Sequence, residues 1–164
     1  DAVKKVYPLA QVARAKMEGM EQHLLTLSKK EQRAYIKKYY KEILDDFFPR
    51  FLEVVANDGY RDSIEEIRIE GHTDSDGGYL YNIQLSQNRA REVLDYCLGL
   101  VENNEKYSDM VDWVKFKITA NGLSYSHPIL NSDGTENKDL SRRVEFKVRT
   151  NAEKQLEEIA KIRL

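Results

Sequence analysis

The apolar residues of this chain repeat with two different periods, and the switches between them limit what it can fold into. Recurrence every three or four residues marks a helix, and strict alternation marks a half-buried strand. Helical spacing runs through Val6, Leu9, Val12, Ala13, Met17, Met20, Leu24 and Leu27. Ser28 then precedes Glu31 at capping-box spacing, which restarts a helix. Tyr35, Ile36, Tyr39, Tyr40, Ile43, Leu44 and Phe47 form its apolar-aromatic stripe, Pro49 is a candidate kink, and Asn57-Asp58-Gly59 ends it. Ile64, Ile67 and Ile69 change the pattern to a short strand that runs through Gly71 into the loop Asp74-Ser75-Asp76-Gly77-Gly78. Leu85, Ala90, Val93, Leu94, Cys97 and Val101 return to helical spacing. Val114, Phe116 and Ile118 alternate with Lys115, Lys117 and Thr119 as a second strand, and Val144, Phe146 and Val148 alternate as a last one. Ala152 to Leu164 reads as a terminal amphipathic helix.

Strands separated by helices predict an α/β sandwich of the α+β kind, with helices packed on one face of a small sheet. Lysines and a glutamate on the polar side of the last two strands predict that the other face is open to solvent. The chain divides into an N-terminal helical segment (1–28), a central domain (29–150) and a C-terminal helix (151–164). Its 26 basic and 28 acidic residues are mixed along the sequence, so no cationic excess exists to neutralise a phosphate backbone, and nucleic acid is not an expected partner. Cys97, the only cysteine, excludes an internal disulfide and a cysteine-rich zinc site, and its helical spacing with Val93 and Val101 predicts a buried thiol. No apolar run reaches the length of about 20 residues that a membrane helix needs, so any membrane anchor is expected outside this chain.

Two charged residues stand out by context. Asp74 follows Gly71-His72-Thr73 where the first strand opens into its loop, and Arg89 lies in the early turns of the next helix, in Leu85-Ser86-Gln87-Asn88-Arg89-Ala90. A strand-loop-helix turn can bring both to the same end of the sheet. A carboxylate beside a guanidinium either closes an internal ion pair or complements a zwitterion, with the Asp taking an ammonium and the Arg a carboxylate.

The phrases Gly71-His72-Thr73-Asp74, Tyr81-Asn82, Leu85-Ser86 and Arg89-Ala90, followed by Gly122-Leu123-Ser124, Pro128 and Arg142-Arg143-Val144-Glu145, resemble the OmpA-like domain in order and separation. That family includes the C-terminal domains of OmpA, the Pal lipoprotein and the MotB flagellar stator subunit, and the match spans roughly residues 64–149. The long aromatic helix at 29–56 and the Ser-Arg-Arg-Val-Glu-Phe ending are similar to MotB-like stators, including those of anti-phage defence systems. Three features depart from the family pattern: Ser141 where Asn is usual, a second acid at Asp76, and no recognisable opening strand phrase upstream of Ser28.

The resemblance implies a β-α-β-α-β domain that binds peptidoglycan non-covalently and anchors a membrane protein or motor stator to the cell wall. Asp74 and Arg89 would hold the diaminopimelate of the stem peptide. Thr73, Asn82, Leu85 and Ala90 would line the pocket, and Arg142 or Arg143 would close it or reach a peptide carboxylate. A periplasmic location, a homodimer and a stator or anchor partner outside the chain are implied too. The alternative is a structural dimerisation domain with a decayed pocket.

Period-2 geometry extended back from Val144 puts Arg142 with the apolar set, where it must find a carboxylate or reach the strand end, and puts Arg143 on the polar side as a solvated charge; the resemblance implies Asp74 or Asp76 as the nearest carboxylate. No metal, cofactor or catalytic residue is expected. Asp74-Ser75-Asp76-Gly77 fails the calcium-loop pattern because Tyr79 and Leu85 stand where Gly and Glu are required. His23, His72 and His127 lack paired ligand spacing, and no nucleophile-elbow glycine pattern frames Ser86.

Overall fold

The computed structural model describes residues 7–8 and 28–152. The first long helix, α1 (Lys29–Val55), starts at the expected capping box: Ser28 accepts from the Glu31 backbone N–H, and the Glu31 carboxylate accepts from Ser28 N at 2.9 Å. The helix continues unbroken through Pro49. Strand β2 (Ile64–Gly71) follows a single 3-10 turn and leads into α2 (Tyr79–Glu102). A second 3-10 turn, the short helix α3 (Val111–Lys117), strand β3 (Ile118–Gly122), the one-turn helix α4 (Lys138–Ser141) and strand β4 (Val144–Thr150) complete the order. A two-residue strand, β1 (Tyr7–Pro8), opens it.

The sheet order is β1-β4-β2-β3, with β2 and β3 parallel and the other two pairs antiparallel. The fold is α+β, as the periods predict. Helices α1 and α2 cover the sheet face that carries Ile67, Ile69, Ile118 and Phe146, all buried. Phe146 is enclosed by Phe47, Phe48 and Phe51 of α1 at ring separations of 5.3–6.2 Å, which turns the aromatic stripe into core. Cys97 is fully buried in the same core, and burial pushes its thiol pKa well up, so it is an inert core side chain.

Three expectations need correction. Residues 111–117 form a helix, not a strand: Val111 and Val114 pack inward at helical spacing while Phe116 is left 81% exposed. The region before Ser28 does not read as helix throughout, because Tyr7–Pro8 pairs with Phe146 and Glu145 and supplies an opening strand; residues 9–27 lie outside the described residues, as does the terminal helix beyond Ala152.

The polar face of the sheet is open only toward Thr119 and Arg149 and is closed at the other end. Glu70, His72, Arg143 and Glu145 are all buried there. They are tolerated because they neutralise one another across the β2–β4 pair. Arg143 Nε donates to Glu145 Oε1 at 2.5 Å, and Lys147 Nζ lies 2.5 Å from Glu70 Oε2.

Candidate functional site

The site lies at the C-terminal ends of the parallel strands β2 and β3. Gly71 and Gly122 are paired in register there, and both press on the backbone of α2. A Cβ on Gly71 would stand 2.1 Å from the Ser86 carbonyl oxygen, and one on Gly122 would stand 2.4 Å from the Gln87 nitrogen. Only glycine allows an approach this close. Two side chains then seal the contact. Gln87 donates to Ala120 O at 3.1 Å and accepts from Gly122 N at 2.7 Å, satisfying the free side of edge strand β3. Ser86 Oγ accepts from Ser124 N at 3.0 Å.

Ser124 is the hub of the site. It holds φ at 53°, a left-handed conformation uncommon for serine, and it is fully buried. Its carbonyl accepts from Thr73 N at 2.9 Å and its hydroxyl donates to Tyr79 O at 3.3 Å. One residue thus ties the end of β2 to the start of α2. The sequence marks it only within Gly122-Leu123-Ser124, with no sign of the strained backbone.

Asp74 leaves the sheet just beyond this hub and is 7% exposed. Its Oδ1 accepts from Asp76 N at 3.2 Å, and its Oδ2 sits 2.5 Å from Arg142 Nη1. The loop that follows is clamped from the far side by a segment whose role the sequence does not reveal. Glu136 accepts from the hydroxyl of Ser75 at 2.5 Å, and Lys138 Nζ lies 2.5 Å from Asp76 Oδ1. Arg142 also pairs with Asp139, which aims its guanidinium across the mouth of the site.

Arg89 projects from α2 toward the same place but forms no ion pair with Asp74; among the described residues its one hydrogen bond is a 3.4 Å donation from Nη1 to His72 O. Burial is the main influence lowering its pKa, with the Arg142 charge adding to it, while Tyr40, Asp74 and Tyr81 act in the opposite sense. The guanidinium still stays protonated at neutral pH. A half-buried cation with most of its five donors unused among the described residues favours an anion. The internal Asp74–Arg89 pair, one of the two readings open from sequence, is not what forms.

The other expected residues take different places. Thr73 is buried, and its hydroxyl has no hydrogen-bond partner among the described residues. Asn82 is buried and donates from Nδ2 to Asp76 O at 2.8 Å, so it shapes the loop from behind. Leu85 is half-buried, whereas Ala90 has no exposed surface and belongs to the core. Arg143, expected as a solvated charge or a pocket wall, is buried on the ionic face, where it also donates to His127 O at 3.1 Å. The strand phase that pairs it with Glu145 holds; the solvation does not.

Among the described residues one cluster has metal-ligand geometry: donor atoms of Glu70, His72 and Glu145 lie within 4.8 Å of one another. The Lys147 ammonium already stands 2.5 Å from Glu70 Oε2 and 3.7 Å from Glu145 Oε2, and Arg143 matches the second carboxylate. The Lys147–Glu70 contact is an ion pair without hydrogen-bond alignment. The cluster is an ionic lock between strands with its own cation in place. His72 is enclosed in it with neither ring nitrogen bonded, and burial above all, then the Arg143 charge, pushes its pKa down to about 4.

The parallel strand ends carry Gly-His-Thr-Asp, and an arginine is aimed at the same mouth from the following helix, the arrangement that the resemblance to OmpA-like domains implies. By sequence the chain is similar to Zorya protein ZorB. It is 46% identical over 132 residues to ZorB of Escherichia coli ATCC 8739, covering 76% of this chain and 54% of that protein. It is 30% identical over 110 residues to ZorB of Escherichia coli O139:H28 strain E24377A, covering 66% and 42%. The chain thus spans about half the length of these relatives. Residues 1–60 match a family described as a domain of unknown function, DUF4294.

Among solved structures, the cell wall anchor of the T6SS from Pseudomonas aeruginosa is 26% identical, with 65% of this chain and 68% of that chain covered and a TM-score of 0.36. The periplasmic domain of Helicobacter pylori MotB is 18% identical, with 74% and 72% covered and a TM-score of 0.44. Among the described residues no helix is long and apolar enough to cross a membrane.

Proposed function

We propose that this domain holds peptidoglycan non-covalently through the diaminopimelate of the stem peptide, and so fixes a stator-like membrane complex to the cell wall. The observation that carries the reading is the pairing of two unlike groups at one mouth: Arg89, a half-buried cation with no ion pair among the described residues, and Asp74, a carboxylate held in place by Arg142. The side-chain end of diaminopimelate bears one ammonium and one carboxylate. Arg89 takes the carboxylate in bidentate fashion, and Asp74 takes the ammonium on the oxygen that Arg142 leaves less occupied. Thr73, with its unpartnered hydroxyl, offers a further polar contact. The reading assigns no catalytic step to any residue.

Similarity to ZorB supports the stator setting, and a MotB periplasmic domain and a cell wall anchor among the related structures are consistent with the wall as partner. By the same reading the domain is periplasmic, works as a homodimer and is tethered by a segment outside this chain. Co-sedimentation with purified sacculi tests the binding: wild type should pellet, and Arg89→Ala should stay in the supernatant while remaining folded. Equal recovery of wild type and variant would remove Arg89 from the site. Failure of both to pellet would leave the alternative, a dimerisation domain with a decayed pocket. Light scattering checks the assembly, where a species of 19.1 kDa alone at high concentration would contradict the dimer.

A further inference from the structure

Asp74 lies on a stretch without regular secondary structure, residues 72–78, so neither a strand nor a helix fixes where its carboxylate points. Its Oδ1 accepts from the backbone N–H of Asp76, which ties the direction of the carboxylate to the placing of the Ser75–Asp76 peptide. That peptide is held by two other parts of the chain. Asn82 of α2 donates to the Asp76 carbonyl at 2.8 Å. Glu136 accepts from Ser75 N at 3.1 Å on Oε1 and from the Ser75 hydroxyl on Oε2. The contacts thus run from Glu136 to Ser75, across 61 positions of sequence, and on through Asp76 N–H to the carboxylate assigned to the ligand ammonium.

Glu136 is itself firmly mounted. It forms an antiparallel bridge with Leu130, and Asn137 N donates to Ile129 O at 2.7 Å. Asn131 N donates to Thr135 O at 2.8 Å, and the turn between them closes at Gly134, whose φ of 84° suits glycine. Ile129 N donates to the buried Ser141 at 3.0 Å, which fastens the base of this small hairpin beside β4. Lys138 reaches the same loop through Asp76, but the two side chains are 48% and 66% exposed, so that pair adds little hold. Glu136 is half-buried and takes two charge-assisted bonds from one residue. It is the stronger grip.

We propose that Glu136 is a positioning residue of the peptide site: through Ser75 and the Asp76 N–H it aims the Asp74 carboxylate at the ligand ammonium without touching the ligand. The proposal rests on the peptide reading above. It makes the hairpin at 129–137 part of the binding apparatus.

Two measurements test it. The first is calorimetry with a diaminopimelate stem peptide. Glu136→Ala should weaken binding about fivefold or more at an unchanged thermal midpoint, and Ser75→Ala, which removes one of the two bonds, should weaken it less. Glu136→Gln keeps an oxygen for Ser75 N–H and an amide for its hydroxyl, so it should bind within about twofold of wild type. Because Glu136 acts through Asp74, adding Glu136→Ala to Asp74→Ala should cost nothing further, whereas a general weakening of the domain would add in full. The second is amide hydrogen exchange in the free protein, where Glu136→Ala should speed exchange at Ser75 and Asp76 about fivefold or more. Wild-type affinity in Glu136→Ala, a Glu136→Gln variant as weak as Glu136→Ala, or additive losses in the double variant would each overturn the proposal. Unchanged exchange would overturn it too and leave the peptide reading standing. No binding of the peptide by wild type would overturn the peptide reading and, with it, any aiming of Asp74 at a ligand.

Discussion

Replacing Gly71 with alanine should cost the domain much of its stability, for a reason visible only where strand meets helix. The added Cβ would sit 2.1 Å from the Ser86 carbonyl oxygen and 2.9 Å from its carbon. Ordinary contact is 3.4–4 Å, so α2 must move off the sheet by about 1.3 Å, and both obstructing atoms are backbone. A gap of that size forfeits half or more of the dispersion energy between α2 and the strands beneath it. The residues that lose contact include Ala90 and Cys97, which are fully buried now. Overpacking of this kind costs about 3 kcal/mol at the upper end of its usual range. With a urea slope of about 2 kcal/mol/M, the unfolding midpoint should fall by about 1.5 M. Gly99→Ala is the control, because the nearest atom to its Cβ is Asn103 Nδ2 at 4.0 Å; an alanine in that helix interior should stabilise by about 0.5–1 kcal/mol. A midpoint for Gly71→Ala within about 0.3 M of wild type would refute the close approach of α2 to the sheet.

The ionic face makes two further predictions. Arg143→Ala leaves the buried Glu145 with only its longer contact to Lys147 and should destabilise by about 3 kcal/mol, whereas Arg142→Ala removes a 43% exposed side chain and should cost under about 1 kcal/mol; thermal melts that reverse this order would contradict the assignment. His72 is held neutral with its pKa lowered to about 4, while the unfolded chain protonates near the ordinary value of 6.5. The unfolded state therefore binds more protons between those values, so stability is full above about pH 6.5 and is lost as pH falls toward 4. The loss between pH 7 and pH 5 should be about 2 kcal/mol. His72 faces Glu70, Glu145, Arg143 and Lys147, and His72→Gln should flatten the profile; an equally steep profile in the variant would remove His72 as the cause.

Much of this arrangement is legible in the residues before any coordinates. Hydrophobic period places β2, α2 and β4, and the spacing from Gly71 to Asp74 and from Leu85 to Ala90 marks the strand end and helix that meet at the site. What stays hidden has physical causes. Val114, Phe116 and Ile118 alternate like a strand, yet Val111, Val114 and Ile118 fit a helical turn equally well, and packing decides for the helix until Ile118 pairs with Ile67. Tyr7–Pro8 forms two residues of backbone pairing, too short for any period to register. Arg143, Glu145 and Lys147 alternate like a solvated face because one strand's sequence does not show that Glu70 and His72 stand opposite them. The clamp of Glu136 and Lys138 on the Asp74 loop joins residues about sixty positions apart, beyond the reach of local pattern.

The central claim is that Arg89 and Asp74 read the two charges of diaminopimelate. Its most direct test is calorimetry on wild type and Arg89→Ala with two stem peptides, one bearing meso-diaminopimelate and one bearing lysine, which lacks the side-chain carboxylate. If Arg89 holds that carboxylate, wild type should prefer the diaminopimelate peptide by about tenfold or more, since a charge-assisted contact is worth about 1.5–3 kcal/mol. Arg89→Ala should bind both peptides with the same reduced affinity. Wild type that binds the two peptides equally, or an Arg89→Ala variant that keeps the full preference, would contradict the account.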